Sequence, residues 1–526
     1  MSIFSRERLS LSGRRPAIAV AAIVVLAVLI RAPFSGNAGS DEAYYLVIGR
    51  QWLHGLPPYA GSYDVKPPLL FLLMAAAEAV FGPSLWAAKA LTAACVAITA
   101  SGLYLLGRRF SGELSGLAAA ALYILASLTL GGTFSPAELL MAPFTTLGMV
   151  TGLLALTSAI RARSLALLAS GLLFGAAACI KQTALFEAAA FGAVMVSARS
   201  SVGRLRGLTV FAAGGLIVPL TFAVYYAAIG HWSDLAEKTV LLAAGRANSA
   251  YVPPWDEACV RLFYWTVLIL PVVMMASAFW VHRGIMRERV RNPLIPLLAG
   301  WSVGSLAGLI LARAAIDFYA LTAIQPLCLA AGIFVDRSLG SFASPVRRWV
   351  WRAAACGASL YFFAWSAGPL YYGSGDTLAA SEAAASAMRG AKLGPQDRIF
   401  VADRDVLVYI AAGADPPARI FHPLQMLCDF PLPGAETAME DSLNRDPAFI
   451  VVADPAFHLD CEHSERRAML EARLSRDYCR LGKFGGTATR GRPGAFLVYG
   501  LKKRLGSEAA WKCSVNAATS APDAAF

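Results

Sequence analysis

Charge is scarce in this chain. Of its 526 residues only 15% are Asp, Glu, Lys or Arg, and six are histidine. An ordinary soluble domain carries about 25% charged residues, so a soluble globular protein of this length is excluded. No Gly-rich phosphate loop is present, which removes the usual nucleotide cradles, and neither the nine cysteines nor the histidines show zinc-ligand spacing. A repeated basic-aromatic pattern is missing too. The net charge of +12 therefore points to loop bias in a membrane protein, not to nucleic acid.

Apolar residues fill the space that charge leaves. They make up 57% of the chain, and the mean hydropathy is +0.55. Apolar runs near the length needed to cross a bilayer recur through the first two thirds. The spans expected are residues 16–34, 85–106, 114–131, 139–160, 165–180, 184–198, 207–229, 262–281, 294–312, 318–335 and 349–371. The basic start (Arg6, Arg8, Arg14, Arg15) leads into the first run with no small-residue cleavage pattern after it, so that run is read as a retained span. Residues 67–81 are apolar but about fifteen long, which suits an interfacial or re-entrant helix whose polar face Glu78 would mark. Charge parity supports leaving that helix uncrossed. The loops at 108–109, 161–163, 199–206, 282–291 and 336–348 are then all Arg-rich and cytoplasmic. The opposite face receives 41–66, 133–138, 181–182, 230–261, 313–317 and everything beyond Tyr371. The fold class expected is a polytopic α-helical membrane protein of about eleven spans plus one surface helix, followed by a small α/β domain.

Composition changes after Tyr371. Residues 399–402, 406–410, 449–453 and 496–501 read as strands, and 437–444 and 464–476 as helices. The expected organisation is 1–372 for the membrane domain, 373–505 for the α/β domain and 506–526 for a small, polar tail without fixed structure. Cys428, Cys461, Cys479 and Cys513 fall in that non-cytoplasmic part. Spacing leaves both a Cys461–Cys479 disulfide and free thiols open.

The polar residues collected at one membrane face are the chemical candidates, because ionisable groups at span ends are costly to place. Asp41-Glu42-Ala43-Tyr44-Tyr45 follows the first span, and Asp64-Val65-Lys66-Pro67-Pro68 follows in the same loop. A carboxylate here can take a proton from an acceptor hydroxyl while a cation holds a lipid-linked phosphate. Glu138 stands at a span start after Ser135-Pro136, where it could also complement a helix dipole. Lys181 lies between two short spans and can either bind or snorkel. Arg246 suits phosphate binding. Arg313 and Asp317 can serve the site or pair with each other. Asp256 and Glu257 read as solvated loop charges.

These stretches resemble the GT-C superfamily of membrane glycosyltransferases, which use polyprenyl-phosphate sugars. The resemblance is to the lipid A aminoarabinose transferases, the rhizobial core galacturonosyltransferases and, more distantly, the protein O-mannosyltransferases. It rests on Asp41–Tyr45, Lys66-Pro67-Pro68-Leu69 with Phe81-Gly82, and Phe134-Ser135-Pro136-Ala137-Glu138. Residues 171–181, Gly245-Arg246 to Pro254-Trp255, and Arg313 to Pro326 extend it, so that it spans roughly 15–335. It implies an inverting transferase of the bacterial inner membrane with its site facing the periplasm. Asp41, Glu42 and Glu138 would be catalytic, and Lys66, Arg246, Lys181 and Arg313 would hold donor phosphate. Tyr44, Tyr45, Asp64 and Asp317 would contact substrate. The partners implied are a polyprenyl-phosphate sugar and a lipid, glycan or protein acceptor in the bilayer's periplasmic leaflet or beside it, with no nucleic acid. No cofactor is required, and a divalent ion between Asp41 and Glu138 is the one metal site the residues suggest. The chain departs from the aminoarabinose transferases at Glu138, where they carry Asp, and at Val65, where they carry Glu. A transporter of lipid-linked sugars is the rival class, but the charges gather at one face and the two halves show no repeat.

Overall fold

The computed structural model describes residues 14–157, 160–197, 204–242, 253–282, 294–313, 317–341, 357, 361, 364, 375–402, 406–427, 434–454, 463–486 and 494–505. The first nine helices are α1 (Arg14–Arg31), α2 (Ser40–Leu53), α3 (Pro68–Phe81), α4 (Leu85–Phe110), α5 (Glu113–Thr129), α6 (Ala137–Thr157), α7 (Ile160–Ala178), α8 (Ala184–Ser197) and α9 (Arg204–Ala228). The chain divides into two compact units. One contains Met1–Ser35, Lys66–Leu70 and Lys89–Leu370; the other contains Gly36–Val65, Phe71–Ala88 and Tyr371–Phe526.

The first unit is a bundle of apolar helices. Five described helical segments, 14–34, 85–110, 137–157, 205–228 and 317–338, are long and apolar enough to cross a membrane. Shorter apolar helices lie at 113–129, 162–178, 184–197 and 295–311, while the one at 68–81 falls mostly in the second unit. Of the expected segment 349–371 only residues 357, 361 and 364 are among the described residues. Over the expected span 262–281 the helix is broken: two helices, Trp255–Leu268 and Leu270–His282, meet at 90°. Pro271 explains the break at Ile269, since it has no N–H to bond the carbonyl four residues back and its ring crowds that preceding turn. Small residues bring the helices close. A Cβ at Gly171 would overlap the Phe211 carbonyl oxygen, and one at Gly175 would overlap the Gly215 carbonyl oxygen. Packing of this kind replaces the hydrophobic drive that a bilayer does not supply. Trp301 on the 294–311 helix donates its Nε1–H to Glu187 Oε2 on α8 at 2.8 Å, so this buried acid is satisfied between helices.

The second unit is built on a four-stranded sheet of order β1-β2-β4-β3, with β1 (Ile399–Val401), β2 (Phe449–Asp454), β3 (Tyr478–Gly485) and β4 (Ala495–Leu501). β1 pairs parallel to β2, while β4 is antiparallel to both β2 and β3. Helices Gly375–Gly390, Ala438–Asn444 and Ser464–Asp477 accompany the sheet. Two sequence expectations fail here. Residues 406–410 are not a strand but open a short helix, Leu407–Ala412, which Gly413 ends in the left-handed conformation (φ 67). β3 was not anticipated, because it is an edge strand interrupted by a bulge between Arg480 and Gly482 and carries Arg480 and Lys483. Cys479, at its start, is disulfide-bonded; Cys428, Cys461 and Cys513 lie outside the described residues.

The same unit includes the first-loop helix α2 and most of α3. Glu78 does not mark a solvated face. It is buried and pairs with the buried Arg50 of α2 at 2.7 Å.

Candidate active site

Asp41 and Glu42 occupy the first turn of α2, where negative charge favours the helix dipole. Their environments differ. Glu42 is fully buried, and its Oε2 accepts from the Gly39 N–H at 3.4 Å. That is a capping contact at the helix start. Asp41 remains partly exposed and accepts a hydrogen bond from the Tyr45 hydroxyl at 3.0 Å. Of the two, Asp41 is the less buried carboxylate.

Tyr44 and Tyr45 are buried. The Tyr45 ring stands edge-on to Phe71 at 6.0 Å. The Tyr44 ring lies 4.7 Å from Phe421 and edge-on to His422 at 5.1 Å, while its hydroxyl donates to the Tyr63 carbonyl and lies 3.5 Å from Gln425 Oε1. Burial, reinforced by the Asp64 charge, holds the Tyr44 phenol well above its usual range, so it stays a donor. Asp64 is also buried and accepts from the Val65 N–H at 2.6 Å. That local turn sets up the backbone ahead of Lys66, which the two following prolines stiffen.

Lys66 belongs to the first unit and is partly exposed. Its segment is tied down: the Leu69 N–H donates to the Cys179 carbonyl at 2.9 Å. Two residues beyond Cys179, the Lys181 ammonium pairs with Glu138 and lies 3.7 Å from the centre of the Tyr319 ring. Glu138 is 1% exposed, and its Oε2 has no hydrogen-bond partner. Lys181 is therefore committed first to this carboxylate. A cation already in contact with Glu138 repels a second one, so the residues there do not fit a divalent ion. Among the described residues no group of three or more His, Cys, Asp or Glu is placed to hold a metal.

The structure brings Glu138 and Lys181 together, and Asp41 and Tyr45. It does not pair Arg313 with Asp317. The Arg313 guanidinium lies 5.1 Å from the Trp255 ring, and Asp317 Oδ1 caps its own turn through the Phe318 N–H at 2.9 Å. Asp256 and Glu257 fall in the first turn of the 255–268 helix, where Glu257 pairs with Arg261. Arg246 lies outside the described residues.

Three residues went unnoticed in the sequence. Lys89, near the start of α4, donates to the Thr133 carbonyl at 3.0 Å and lies 5.8 Å from the Phe134 ring. Arg31, buried at the end of α1, donates to the Gly132 carbonyl and to Ser127 Oγ at 2.6 Å. Together they order the loop that delivers Glu138. Tyr319, the third, stands in the matching stretch Arg313 to Pro326 but was not singled out. The available signal was that Lys89 and Arg31 are lone cations at the ends of apolar spans, a placement that rarely lacks a purpose.

Residues 65–226 match the family described as dolichyl-phosphate-mannose-protein mannosyltransferase. No curated protein sequence is similar enough to count as a match. The structure is similar to ArnT from Cupriavidus metallidurans solved with undecaprenyl phosphate bound: TM-score 0.65 and 17% identity, over 93% of this chain and 98% of that one. It is also similar to the Archaeoglobus fulgidus oligosaccharyltransferase tethered to an acceptor peptide, with TM-score 0.55 and 12% identity, over 89% of this chain and 73% of that one. The resemblance expected from the sequence thus has two supports: the chain shares the fold of these two solved structures, and residues 65–226 match the mannosyltransferase family model.

Proposed function

We propose that this protein transfers a monosaccharide from a polyprenyl-phosphate donor to an acceptor hydroxyl at the periplasmic face of a bacterial inner membrane. The observation that carries the reading is the content of residues 65–226. The stretch matching the mannosyltransferase family contains Lys66, Glu138 and Lys181, and the first unit links them through the Leu69–Cys179 bond and the Glu138–Lys181 pair. A structural relative binds undecaprenyl phosphate, which is the product such a donor would leave behind.

In this mechanism the acceptor oxygen attacks the anomeric carbon from the face opposite the phosphate, and the configuration inverts. The bond between that carbon and the phosphate oxygen breaks, and polyprenyl phosphate departs with the bonding pair. Asp41 accepts the acceptor proton, with the Tyr45 hydroxyl fixing its carboxylate. Lys66 offsets the charge gained by the departing phosphate, an electrostatic role that needs no metal. Arg246 and Arg313 would add to phosphate binding. Glu138 holds Lys181, whose ammonium in turn rests on the Tyr319 ring. Candidate acceptors are lipid A, core oligosaccharide, another envelope glycan or a protein. The test is mass spectrometry of envelope glycans from a strain lacking the chain. One sugar should disappear from one class of acceptor, and it should return with the wild-type gene but not with Asp41→Asn. Unchanged glycans would overturn the proposal.

A further inference from the structure

The α/β domain after Tyr371 shares a compact unit with α2, and the contacts between them fall on two sides of that helix. Tyr44 follows Asp41 by three residues. Its ring packs on Phe421 and His422, and its hydroxyl reaches Tyr63 and Gln425. Arg50 lies six residues further on, about 240° around a helix of 100° per residue. It pairs with Glu78 at 2.7 Å and donates to the Tyr409 carbonyl at 3.1 Å. The flanking loop is fastened as well: the Tyr63 N–H donates to the Arg419 carbonyl at 3.0 Å, Arg419 donates to the Tyr59 carbonyl, and His54 pairs with Asp415 at 3.2 Å.

α2 needs this support. It is 14 residues long and runs through Val47, Ile48 and Gly49, which favour a helix weakly. A helix of that length holds in water only when packing stabilises it. Gly49 is where α3 crosses: a Cβ there would stand 2.8 Å from the Ala75 nitrogen. Held by α3 alone, α2 could turn or slide. Gripped through Tyr44 on one side and Arg50 on another, it can do neither, and the direction of the Asp41 carboxylate in its first turn is settled.

We propose that the C-terminal α/β domain is a positioning device for the reaction, holding the helix that carries Asp41 through Tyr44 and Arg50. The inference rests on the role given above to Asp41. Tyr44 and Arg50 are positioning residues: they act through Asp41 and are not assigned to substrate.

The experiment compares Tyr44→Phe, which keeps the ring and removes the hydroxyl, with Arg50→Lys, which keeps the charge and loses the fork. Purified full-length protein is used, and turnover is expressed per molecule that binds polyprenyl phosphate, so that misfolded protein does not count. Each variant should lose turnover about fivefold to a hundredfold, as expected for a catalytic group displaced by up to about 1 Å, with donor KM within about twofold of wild type. In an Asp41→Glu background, where the carboxylate is already displaced, Tyr44→Phe should cost less than about twofold. Equal losses in both backgrounds, or wild-type turnover per binding molecule in both single variants, would overturn the proposal. A fully active Asp41→Asn enzyme would instead remove the role of Asp41 on which it rests.

Discussion

The pairing of Glu138 with Lys181 leads to an asymmetric stability prediction. Glu138 is 1% exposed, and the Lys181 side chain is 12% exposed over the Tyr319 ring. Lys181→Met leaves a carboxylate buried without a counter-charge, and its Oε2 already lacks a hydrogen bond. Breaking a buried pair from one side costs about 3–5 kcal/mol. Glu138→Gln leaves the ammonium, which is closer to solvent and keeps its contact with the ring, so the loss should be about 1–3 kcal/mol. The double variant Glu138→Gln/Lys181→Met has no buried charge left and should be more stable than Lys181→Met alone. Thermal unfolding of detergent-purified protein, at matched protein and detergent concentrations, would give the order. The expected sequence of melting temperatures is wild type, then Glu138→Gln, with the double variant above Lys181→Met. Additive losses in the double variant, or a Lys181→Met protein that melts with the wild type, would refute the reasoning.

Lys66→Ala should raise the donor concentration needed for half-maximal transfer, and Lys66→Arg should recover only part of the loss because a guanidinium differs in reach and shape; donor titration at fixed acceptor measures it. Alkaline phosphatase fused after Gly373 should be active and a fusion after Arg287 inactive; the reverse would show that residues 67–81 cross the membrane. Lys503, helped by Arg473, holds the Asp446 carboxyl below its usual range, so its contribution is present at neutral pH and is lost as pH falls through that lowered value. The difference in melting temperature between wild type and Asp446→Asn should therefore be small at pH 7 and vanish at strongly acid pH.

The membrane character of the first unit was legible because apolar runs have only one use in bulk. The break at Pro271 was legible in principle, since the proline stands in the middle of the expected span 262–281. The α/β domain was half legible. β1, β2 and β4 are apolar and buried and read as strands. β3 carries charge along an edge, and 406–410 has strand-like residues that tertiary packing turns into a helix. At the site, Asp41, Lys66 and Glu138 stood out as ionisable residues where few occur. Sequence cannot show which way a side chain points: that the Tyr44 ring faces Phe421 and that Lys181 meets Glu138 could not be read from their spacing. Glu42 and Asp41 are adjacent and chemically alike; only burial separates the cap from the partly exposed carboxylate.

The central claim is chemical: the donor's sugar is transferred and its lipid phosphate is released. The most direct measurement is to incubate the purified protein in lipid vesicles with a polyprenyl-phosphate sugar radiolabelled in the sugar and an envelope-lipid extract as acceptor. Labelled product and free polyprenyl phosphate are then followed together. The account predicts that both appear in equal amounts and that neither appears with Asp41→Asn. A donor that crosses the vesicle bilayer intact, with no phosphate released and no acceptor labelled, would contradict it.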